Sequence, residues 1–452
     1  LFIFLMSNQH KLMSFTIILQ KCQFCTYYFR KGSNDMKIIE KYNSVSLIIR
    51  IICGLVIGTV LGLLFDNLPV VPLFGDLFVG ALKAVAPVLV FALVLSALAQ
   101  GNDKLDSRFG LVIALYMIST LLASVVAVVG SYIFPQTIKL AETATADTIP
   151  TGIGEVLSAL FLNMIANPIG ALLEGRYIGI LFWAVVFGIA AKKFASDTTK
   201  KFFEDVANII SQAVRWIINL APFGIMGLVY TNVSTNGLSI FTDYGKLLAL
   251  LVGCMLIVAL VIDPLLAAVT LRTNPYPLVF RCLRESGLTA FFTRSSAANI
   301  PVNMALCEKL GMDKEMYAVS IPLGATINMD GAAVTIAVMS LAAANTMGIQ
   351  VSLPTALILA FIATLGACGA SGVAGGSLLL IPMACSLFGV NADVAMQVVG
   401  VGFIIGVVQD SVETALNSSG DVMFAATAEY AQWKKNGKSL PTFLGGTTKV
   451  DI

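Results

Sequence analysis

The sequence predicts an all-α protein that crosses a membrane several times, and three observations support this fold class. Of the 452 residues, 57% are hydrophobic, and the mean hydropathy is +0.88. Charged side chains make up 12% of the chain, about half of the quarter that is usual for soluble domains. Charge-free runs that approach the length of a membrane span recur along the sequence. This composition excludes a soluble globular enzyme, a disordered chain and a fibrous repeat.

The candidate spans follow one another from the first to the last quarter of the chain. A helix needs about 20 apolar residues to cross a bilayer, and somewhat fewer when polar residues flank it. Each candidate is free of charge, except that Lys83 interrupts the second. The candidates are residues 51–65, 77–102, 109–138, 177–191, 216–242, 247–262, 331–392 and 394–409.

Lysine and arginine in the connecting loops predict the orientation, because short cytoplasmic loops carry an excess of positive charge. Assigning the basic clusters to the cytoplasm places both termini inside and residues 139–155 outside. The clusters are Lys31, Lys37, Lys41 and Arg50; Lys104 and Arg108; Lys192, Lys193, Lys200 and Lys201; and Lys434, Lys435 and Lys438.

The N-terminal residues 1–35 are interpreted as an extension that precedes a natural start at Met36. Cys22, Cys25 and His10 offer three zinc ligands at unusual spacing. A structural zinc site needs four ligands, so no zinc is expected. The other six cysteines are scattered through apolar segments and are expected to be small buried hydrophobic residues, not disulfides.

Residues 366–377 form a string of glycine, alanine and serine between two apolar arms, 356–365 and 378–388. Each arm is long enough for about half of a bilayer core. Two half-length arms around a small-residue tip favour a re-entrant hairpin, which transporters use to build a binding site. The alternative is a close helix-packing motif of small residues.

Acidic residues without basic neighbours characterise the last third of the chain. Between Lys314 and Lys434 there is no lysine, arginine or histidine, yet Asp330, Asp410 and Glu413 lie in apolar segments, as does Asp421. A carboxylate inside a membrane is costly unless it is paired, so such residues are functional candidates. A mobile cation or an ammonium group is the expected partner. Asp393, in contrast, is interpreted as a helix N-cap.

Helical spacing gathers several of these groups on one face. At about 100° per residue, Asp410, Thr414, Asn417 and Asp421 form one polar stripe about 16 Å long, with Glu413 beside it. Oxygen and amide groups suit alkali or alkaline-earth cations, not zinc or copper. The alternative is a stripe that faces other helices and is hydrogen-bonded internally, which accounts for the threonine and asparagine but not for two aspartates.

A second polar break occurs within residues 322–344. Asn328, Met329, Asp330 and Gly331 interrupt an otherwise apolar segment. An unwound helix frees backbone carbonyls that can coordinate a cation. A plain helix kink is the alternative, and Asp330 favours the cation site.

These strings resemble one known family, the dicarboxylate/amino acid:cation symporters, and within it the bacterial sodium:serine/threonine symporters. The resemblance rests on residues 293–296 (TRSS), on residues 322–331 (PLGATINMDG) and on Asp410, Asn417 and Asp421. It covers roughly residues 40–435. It implies an inverted-repeat transporter with eight transmembrane helices and two re-entrant helical hairpins. It also implies a homotrimer in the bacterial cytoplasmic (inner) membrane.

The resemblance further divides each subunit into a trimerisation scaffold and a mobile transport domain. After the extension, residues 36–108 hold scaffold helices 1 and 2, and residues 109–138 hold transport helix 3. Residues 139–242 hold scaffold helices 4 and 5 with the external loop. Residues 243–430 complete the transport domain, and residues 431–452 form a cytoplasmic tail.

Residue by residue, the resemblance implies a substrate pocket built from the two hairpin tips and the last helix. Asp410 would bind the substrate ammonium, Ser296 and the first tip would face the α-carboxylate, and the segment around Val373 and Gly376 would be the lid. The pocket residues are Arg294, Ser295, Ser296, Val373, Gly376, Asp410, Glu413, Thr414 and Asn417.

Three sodium sites are implied in the same way. The first comprises Asp421 with carbonyls of Gly324, Asn328 and Asn417. The second comprises Asp330 and Asn328 with Tyr116, Ser119 and Thr120. The third comprises carbonyls of Thr326, Ala367, Cys368 and Ala370.

The sequence departs from the acidic-substrate members of this family in the side-chain pocket. Glu413 stands where those members have an arginine that holds the substrate's second carboxylate, and two like charges repel strongly in a low dielectric. Ala332 replaces a hydroxyl residue, and Ala374 replaces a proline. For Arg294 two interpretations are equal: it pairs with Glu413 across the pocket, or it faces a loop or phosphate.

The resulting hypothesis is a sodium-coupled symporter that imports serine and threonine by alternating access, and it is not an enzyme. Sodium ions are cotransported, and neither a cofactor nor a nucleic-acid partner is expected. The alternative in the same family is a sodium-coupled carrier of acidic amino acids or dicarboxylates. An intramembrane aspartyl protease would need a Gly-x-Gly-Asp context that is absent, and saturable gradient-driven uptake would exclude a passive cation channel.

Overall fold

The computed structural model describes residues 45, 47–65, 68–100, 107–140, 161–162, 164–370 and 375–450. Two units are distinguished, residues 1–53 and 54–452. In the first unit the described residues are 45 and 47–53. The second unit contains all the other elements. The zinc hypothesis for Cys22, Cys25 and His10 concerns residues outside the described ranges.

Every regular element in the described ranges is helical, which agrees with the predicted fold class; the one β-bridge there joins Pro441 and Thr448. Two π-helical turns, Val258–Ile262 and Leu283–Gly287, join α8 to α9 and α10 to α11. Two 3-10 turns are Ser377–Leu380 and Thr442–Leu444. The helices are α1 (Leu47–Leu64), α2 (Val70–Ala99), α3 (Ser107–Ile133), α4 (Pro168–Glu174), α5 (Tyr177–Phe194), α6 (Asp197–Asn219), α7 (Ala221–Asn236), α8 (Ser239–Ile257), α9 (Asp263–Leu271), α10 (Tyr276–Cys282), α11 (Leu288–Thr293), α12 (Ser296–Lys309), α13 (Lys314–Ile327), α14 (Asp330–Thr346), α15 (Leu353–Ala367), α16 (Ile381–Ser386) and α17 (Ala392–Lys435).

Several helical stretches are long and apolar enough to cross a membrane. In the described part of the chain, five do so alone: Val70–Ser96, Arg108–Ile133, Ser239–Leu271, Lys314–Thr346 and Ala392–Lys435. A sixth is the pair Asp197–Asn219 and Ala221–Thr235, which is bent by 53°. The protein is therefore a multi-pass membrane protein.

Side-chain caps fix where several helices begin. Asn391 accepts a hydrogen bond of 2.9 Å from the Val394 amide and thereby caps α17. The interpretation of Asp393 as this cap is wrong, because Asp393 lies in the first turn of the helix. There its negative charge interacts favourably with the positive end of the helix dipole. Asp313 caps α13 in the same way, by accepting from the Glu315 amide.

Glycines bring α1, α2 and α7 into backbone contact. A Cβ atom added at Gly58 of α1 would lie 2.4 Å from the Met226 carbonyl oxygen of α7, and one at Gly62 would lie 3.0 Å from the Tyr230 carbonyl oxygen. A Cβ atom at Gly227 of α7 would lie 2.5 Å from the Gly75 nitrogen of α2. Small residues permit this close approach of membrane helices.

The segment from α10 to α12 folds back on itself as a helical hairpin. Its turn contains Arg294, whose φ of 52° is left-handed. Lys309 on the returning arm pairs with Glu285 on the first arm at 3.0 Å. Asn299 and Asn303 on the returning arm donate to Ser418 of α17, to its hydroxyl at 2.8 Å and its carbonyl at 3.1 Å respectively. The hairpin is thereby held against the longest helix of the structure.

Candidate functional site

The predicted polar stripe lies on one continuous helix, α17, and its members are buried. The exposed fraction is 2% for Asp410 and 0% for Asp421, and Thr414 and Asn417 between them are also buried. Glu413 is buried beside them. The predicted helical arrangement of these residues is therefore confirmed.

The predicted break between residues 328 and 331 is also present. Helix α13 ends at Ile327 and α14 begins at Asp330, while Asn328 and Met329 have non-helical backbone angles. The Asn328 side-chain amide donates to the Asn417 carbonyl at 3.0 Å and to one carboxylate oxygen of Asp421 at 3.1 Å. Within the described residues, the Asn328 Oδ1 and Asp421 Oδ2 atoms are buried and have no hydrogen-bond partner.

Buried acceptors without a partner need a hydrogen-bond donor or a cation. Gly324 lies directly against this group, because a Cβ atom there would lie 2.7 Å from Asp421 Oδ1 and 2.8 Å from the Tyr116 hydroxyl. The Tyr116 hydroxyl itself donates to the Asp421 carbonyl at 3.0 Å. Gly324, Asn328, Asn417 and Asp421, the residues of the first predicted sodium site, thus lie next to one another.

Helix α3 brings further oxygen atoms to Asp330. The Ser119 hydroxyl donates to one carboxylate oxygen of Asp330 at 2.5 Å, and the Thr120 hydroxyl donates to the other at 2.7 Å. All three side chains are fully buried. The structure therefore brings together Tyr116, Ser119, Thr120 and Asp330, which come from parts of the sequence about 200 residues apart.

For the third predicted sodium group, the structure places the end of α15 beside the end of α13. The Cys368 sulfur lies 3.6 Å from the Ile327 carbonyl oxygen. Ala370 donates its amide to the Ala367 carbonyl at 2.9 Å. The Thr326 hydroxyl donates to the Pro322 carbonyl of its own helix at 3.3 Å.

Arg294 pairs with Asp410, so both interpretations offered for this arginine are wrong. Its Nε atom donates to Asp410 Oδ2 at 2.7 Å, and the exposed fraction of Arg294 is 9%. The Gly375 amide donates to Asp410 Oδ1 at 3.2 Å. Gly375 presents this amide with a φ of 71°, which glycine adopts readily. Asp410 is therefore contacted by the turn of the α10–α12 hairpin and by Gly375 of the small-residue string 366–377.

The other predicted pocket residues lie close to these contacts along the chain. Ser295 caps α12 by accepting from the Ala298 amide at 3.2 Å, and Ser296 is buried in the first turn of that helix. Gly376 is buried next to Gly375. Val373, like the replaced proline position Ala374, lies outside the described residues.

Glu413 occupies a pocket of hydrogen-bond donors that the sequence did not reveal. Its Oε2 atom accepts from the Thr335 hydroxyl at 2.7 Å, the Ser377 hydroxyl at 2.9 Å and the Gln409 amide at 2.5 Å. The contact of Gln409 could be inferred from the sequence, because Gln409 lies four residues before Glu413 and so on the same helix face. Thr335 lies on α14 and Ser377 ends the small-residue string 366–377, and their sequence spacing gives no such indication.

The electrostatic balance of this region favours cations. Asp330, Asp410, Glu413 and Asp421 are buried together with one guanidinium group, that of Arg294. Among the described residues no three His, Cys, Asp or Glu side chains gather as they would around a transition metal. Hydroxyl, amide and carboxylate oxygens instead suit alkali cations, and Asp410 suits an ammonium group.

Comparison with known proteins agrees with this chemistry. The family model described as the sodium:dicarboxylate symporter family matches residues 47–430. The serine/threonine transporter SstT of Bifidobacterium adolescentis is 64% identical over 407 residues, which cover 90% of this chain and 95% of the relative.

Two streptococcal proteins of the same name are also similar. That of Streptococcus thermophilus is 58% identical over 401 residues, which cover 88% of this chain and 100% of the relative. That of Streptococcus agalactiae is 56% identical over 400 residues, with 88% and 99% covered. These relatives are transporters, so the expectation that the chain is not an enzyme is confirmed. The resemblance seen in the motifs is confirmed as well: the chain belongs to the sodium:dicarboxylate symporter family.

Proposed function

We propose that this protein imports serine and threonine together with sodium ions by alternating access. The observation that carries the proposal is the pair of buried carboxylates Asp410 and Glu413, one helical turn apart, with the guanidinium of Arg294 on Asp410 alone. Relatives that are 56–64% identical bear the name serine/threonine transporter. The description of the family supplies the sodium coupling.

The α-amino acid part of the substrate binds around Asp410. Its ammonium group takes the place of the Arg294 and Gly375 donors on the Asp410 carboxylate, and Thr414 and Asn417 line the same pocket. The substrate carboxylate faces Ser296, at the N-terminal end of α12, where the helix dipole favours an anion. Ser295 and Arg294 complete this side, and the segment around Val373 and Gly376 acts as the lid.

The hydroxyl group of the substrate binds at Glu413. Glu413 Oε2 accepts three hydrogen bonds, two of them from the hydroxyls of Thr335 and Ser377. The hydroxyl of a serine or threonine substrate can therefore replace one of these hydroxyl donors. A substrate carboxylate at this position would face a buried carboxylate instead. Repulsion between like charges in a low dielectric disfavours aspartate and dicarboxylates.

Sodium binds at the three groups of oxygen atoms described above. Asp421 with Gly324, Asn328 and Asn417 forms the first site, Asp330 and Asn328 with Tyr116, Ser119 and Thr120 the second, and Thr326, Ala367, Cys368 and Ala370 the third. Asn417 belongs both to the first site and to the substrate pocket. Bound sodium thereby orders a substrate ligand, and by linkage each ligand tightens the binding of the other.

The architecture we propose has eight membrane helices and two re-entrant hairpins, in a homotrimer with both termini in the cytoplasm. Residues 36–108 and 139–242 form the scaffold, and residues 109–138 and 243–430 form the mobile transport domain. This division is supported by hydrogen bonds from Ser119, Thr120 and Tyr116, which connect α3 to α14 and α17. Helix α2 instead packs mainly on α5, α6 and α7.

Uptake into proteoliposomes tests this function. With an inward sodium gradient, we expect labelled serine and threonine to accumulate, and a large excess of unlabelled aspartate to leave the rate unchanged. The control uses potassium in place of sodium on both sides, which should reduce uptake to the background of protein-free liposomes. Equal serine uptake in sodium and potassium would refute the proposal, and so would strong inhibition by aspartate.

Replacing Glu413 with glutamine tests the hydroxyl subsite. The variant loses the charged acceptor of the substrate hydroxyl, and hydrogen bonds to charged groups contribute about 1.5–3 kcal/mol. We therefore expect the ratio of kcat/KM for serine over alanine to fall by at least about tenfold. Glu308→Gln, a change at an exposed position of α12, is the matched control. An unchanged serine-to-alanine ratio would remove Glu413 from substrate selection.

A further inference from the structure

Asp263 is a buried carboxylate that none of the sites above uses. Its exposed fraction is 2%, and it is the first residue of α9, directly after the π-helical turn Val258–Ile262. Within the described residues its Oδ1 atom has no hydrogen-bond partner, and none of the ion pairs there includes Asp263. An isolated carboxylate at such a position is costly, so it either holds a proton or is offset by a positive group.

A small cavity lies beside the Asp263 side chain. Its wall consists of Asp263 itself, Ala259 of the π-helical turn, Cys282 and Leu283 of the hairpin, Ser419 and Gly420 of α17, and the apolar side chains of Val279 and Met423. The cavity, about 10 Å³, holds at most one water-sized particle. The Ser419 hydroxyl donates to carbonyls of its own helix, Ala415 at 2.7 Å and Leu416 at 3.1 Å. Its oxygen lone pairs therefore stay available as acceptors.

Two π-helical turns meet at this cavity. Ala259 belongs to Val258–Ile262, and Leu283 begins Leu283–Gly287. Such turns widen the helical ladder locally and occur frequently at functional sites. The two turns belong to different helical stretches. Their convergence beside one unpartnered carboxylate is a further indication of a binding site.

The cavity neighbours the sodium residues without sharing them. Gly420 forms part of its wall, and the next residue is Asp421. A Cβ atom at Gly420 would lie 2.7 Å from the Asn328 side-chain nitrogen, so α17 separates the two spaces by little more than its backbone. Asp330 is also near enough to act electrostatically on Asp263. A cation at Asp263 would therefore affect the affinity of the neighbouring sites.

We propose that Asp263, Ser419 and the adjoining backbone of the first π-helical turn bind one additional sodium ion, at a site separate from the three above. The donor set consists of oxygen atoms, which sodium prefers, and the cavity has the size of a single small particle. This inference rests on the proposed sodium coupling of transport, to which it adds one further bound ion.

Equilibrium binding of radioactive sodium to the purified full-length protein, without amino acid, tests the site directly. We expect Asp263→Asn to bind one sodium ion fewer per chain than the unmodified protein at saturation. Asp243→Asn, on the same membrane-crossing stretch but paired with Lys139 and Lys246, should bind the full number. If Asp263→Asn and the unmodified protein bind the same number of sodium ions per chain at saturation, the proposal is wrong. The same result is expected if Asp263 binds a proton instead of sodium.

A second variant keeps the test decisive if Asp263→Asn does not fold. Ser419→Ala removes a neutral ligand and should raise one sodium dissociation constant by about tenfold or more, as loss of supporting groups does at metal sites. Unchanged sodium affinities in Ser419→Ala would overturn the site. Because binding is measured without serine, a protein that binds the extra sodium but transports no serine would contradict the proposed function alone.

Discussion

Replacing Asp410 with asparagine is expected to abolish serine binding while sodium binding persists. Asparagine keeps the size of the side chain but removes the charge that attracts the substrate ammonium. Truncating one partner of a buried charge pair costs about 2–5 kcal/mol, or roughly a 30- to 5,000-fold loss of affinity. The sodium residue Asp421 lies eleven positions further along α17, about 16 Å away, and retains its own contacts.

Isothermal titration of the purified variant with serine, at saturating sodium, measures this loss. A sodium-dependent rise in the thermal unfolding temperature, measured without serine, checks that the variant is folded and binds sodium. Asp393→Asn removes an exposed acid from the same helix and should bind serine normally. Serine binding of normal strength in Asp410→Asn would show that another group holds the ammonium.

Replacing Gly324 with alanine is expected to weaken sodium binding strongly. The new methyl group would lie 2.7 Å from Asp421 Oδ1 and 2.8 Å from the Tyr116 hydroxyl, two oxygens of the proposed sodium sites. Inserting an extra methyl group into a well-packed site typically costs about 1–3 kcal/mol, and here we expect this cost to weaken the sodium-bound state. The sodium concentration for half-maximal serine uptake should therefore rise roughly 5- to 150-fold.

The matched control is Gly253→Ala on α8, where an added Cβ atom has no other atom within 4 Å. Its half-maximal sodium concentration should equal that of the unmodified protein. Serine affinity at saturating sodium should change little in either variant, since the methyl group faces the ion. A Gly324→Ala protein that is fully active at normal sodium concentrations would exclude an ion from this space.

The acids of the last third of the chain could be predicted because local rules govern them. The spacing of Asp410, Thr414, Asn417 and Asp421 fixes their common face as soon as the segment is helical. The break at Asn328 and Met329 follows from polar residues inside an apolar segment. The lack of bases between Lys314 and Lys434 indicated cations without any tertiary information.

Partners that depend on tertiary packing could not be predicted. Arg294 meets Asp410 rather than Glu413 because the hairpin turn and α17 are placed by contacts such as those of Asn299 and Ser418, which no local pattern encodes. Thr335 and Ser377 reach Glu413 from two further elements for the same reason. Hydrogen-bonding residues in apolar segments have many possible neighbours, and only the packed structure selects among them.

Two segments differ from the sequence prediction for physical reasons. The charge of Asp263 ends the predicted run 247–262, but the helical stretch continues to Leu271 because one buried acid does not interrupt backbone hydrogen bonding. The sequence predicts 216–242 as one segment. It is bent near Leu220, where Pro222 at the start of α7 lacks the amide that would continue the preceding helix.

The contacts of Gly58, Gly62 and Gly227 have a mechanical consequence. A helix that slides by one residue, about 1.5 Å, moves a position with a side chain to where only a hydrogen atom fits. Translation of α1 or α2 along α7 by one residue therefore meets a steric barrier at these glycines. The parts of the helices around Gly58, Gly62 and Gly227 resist sliding, so we expect displacement in a conformational cycle to occur at other helix surfaces.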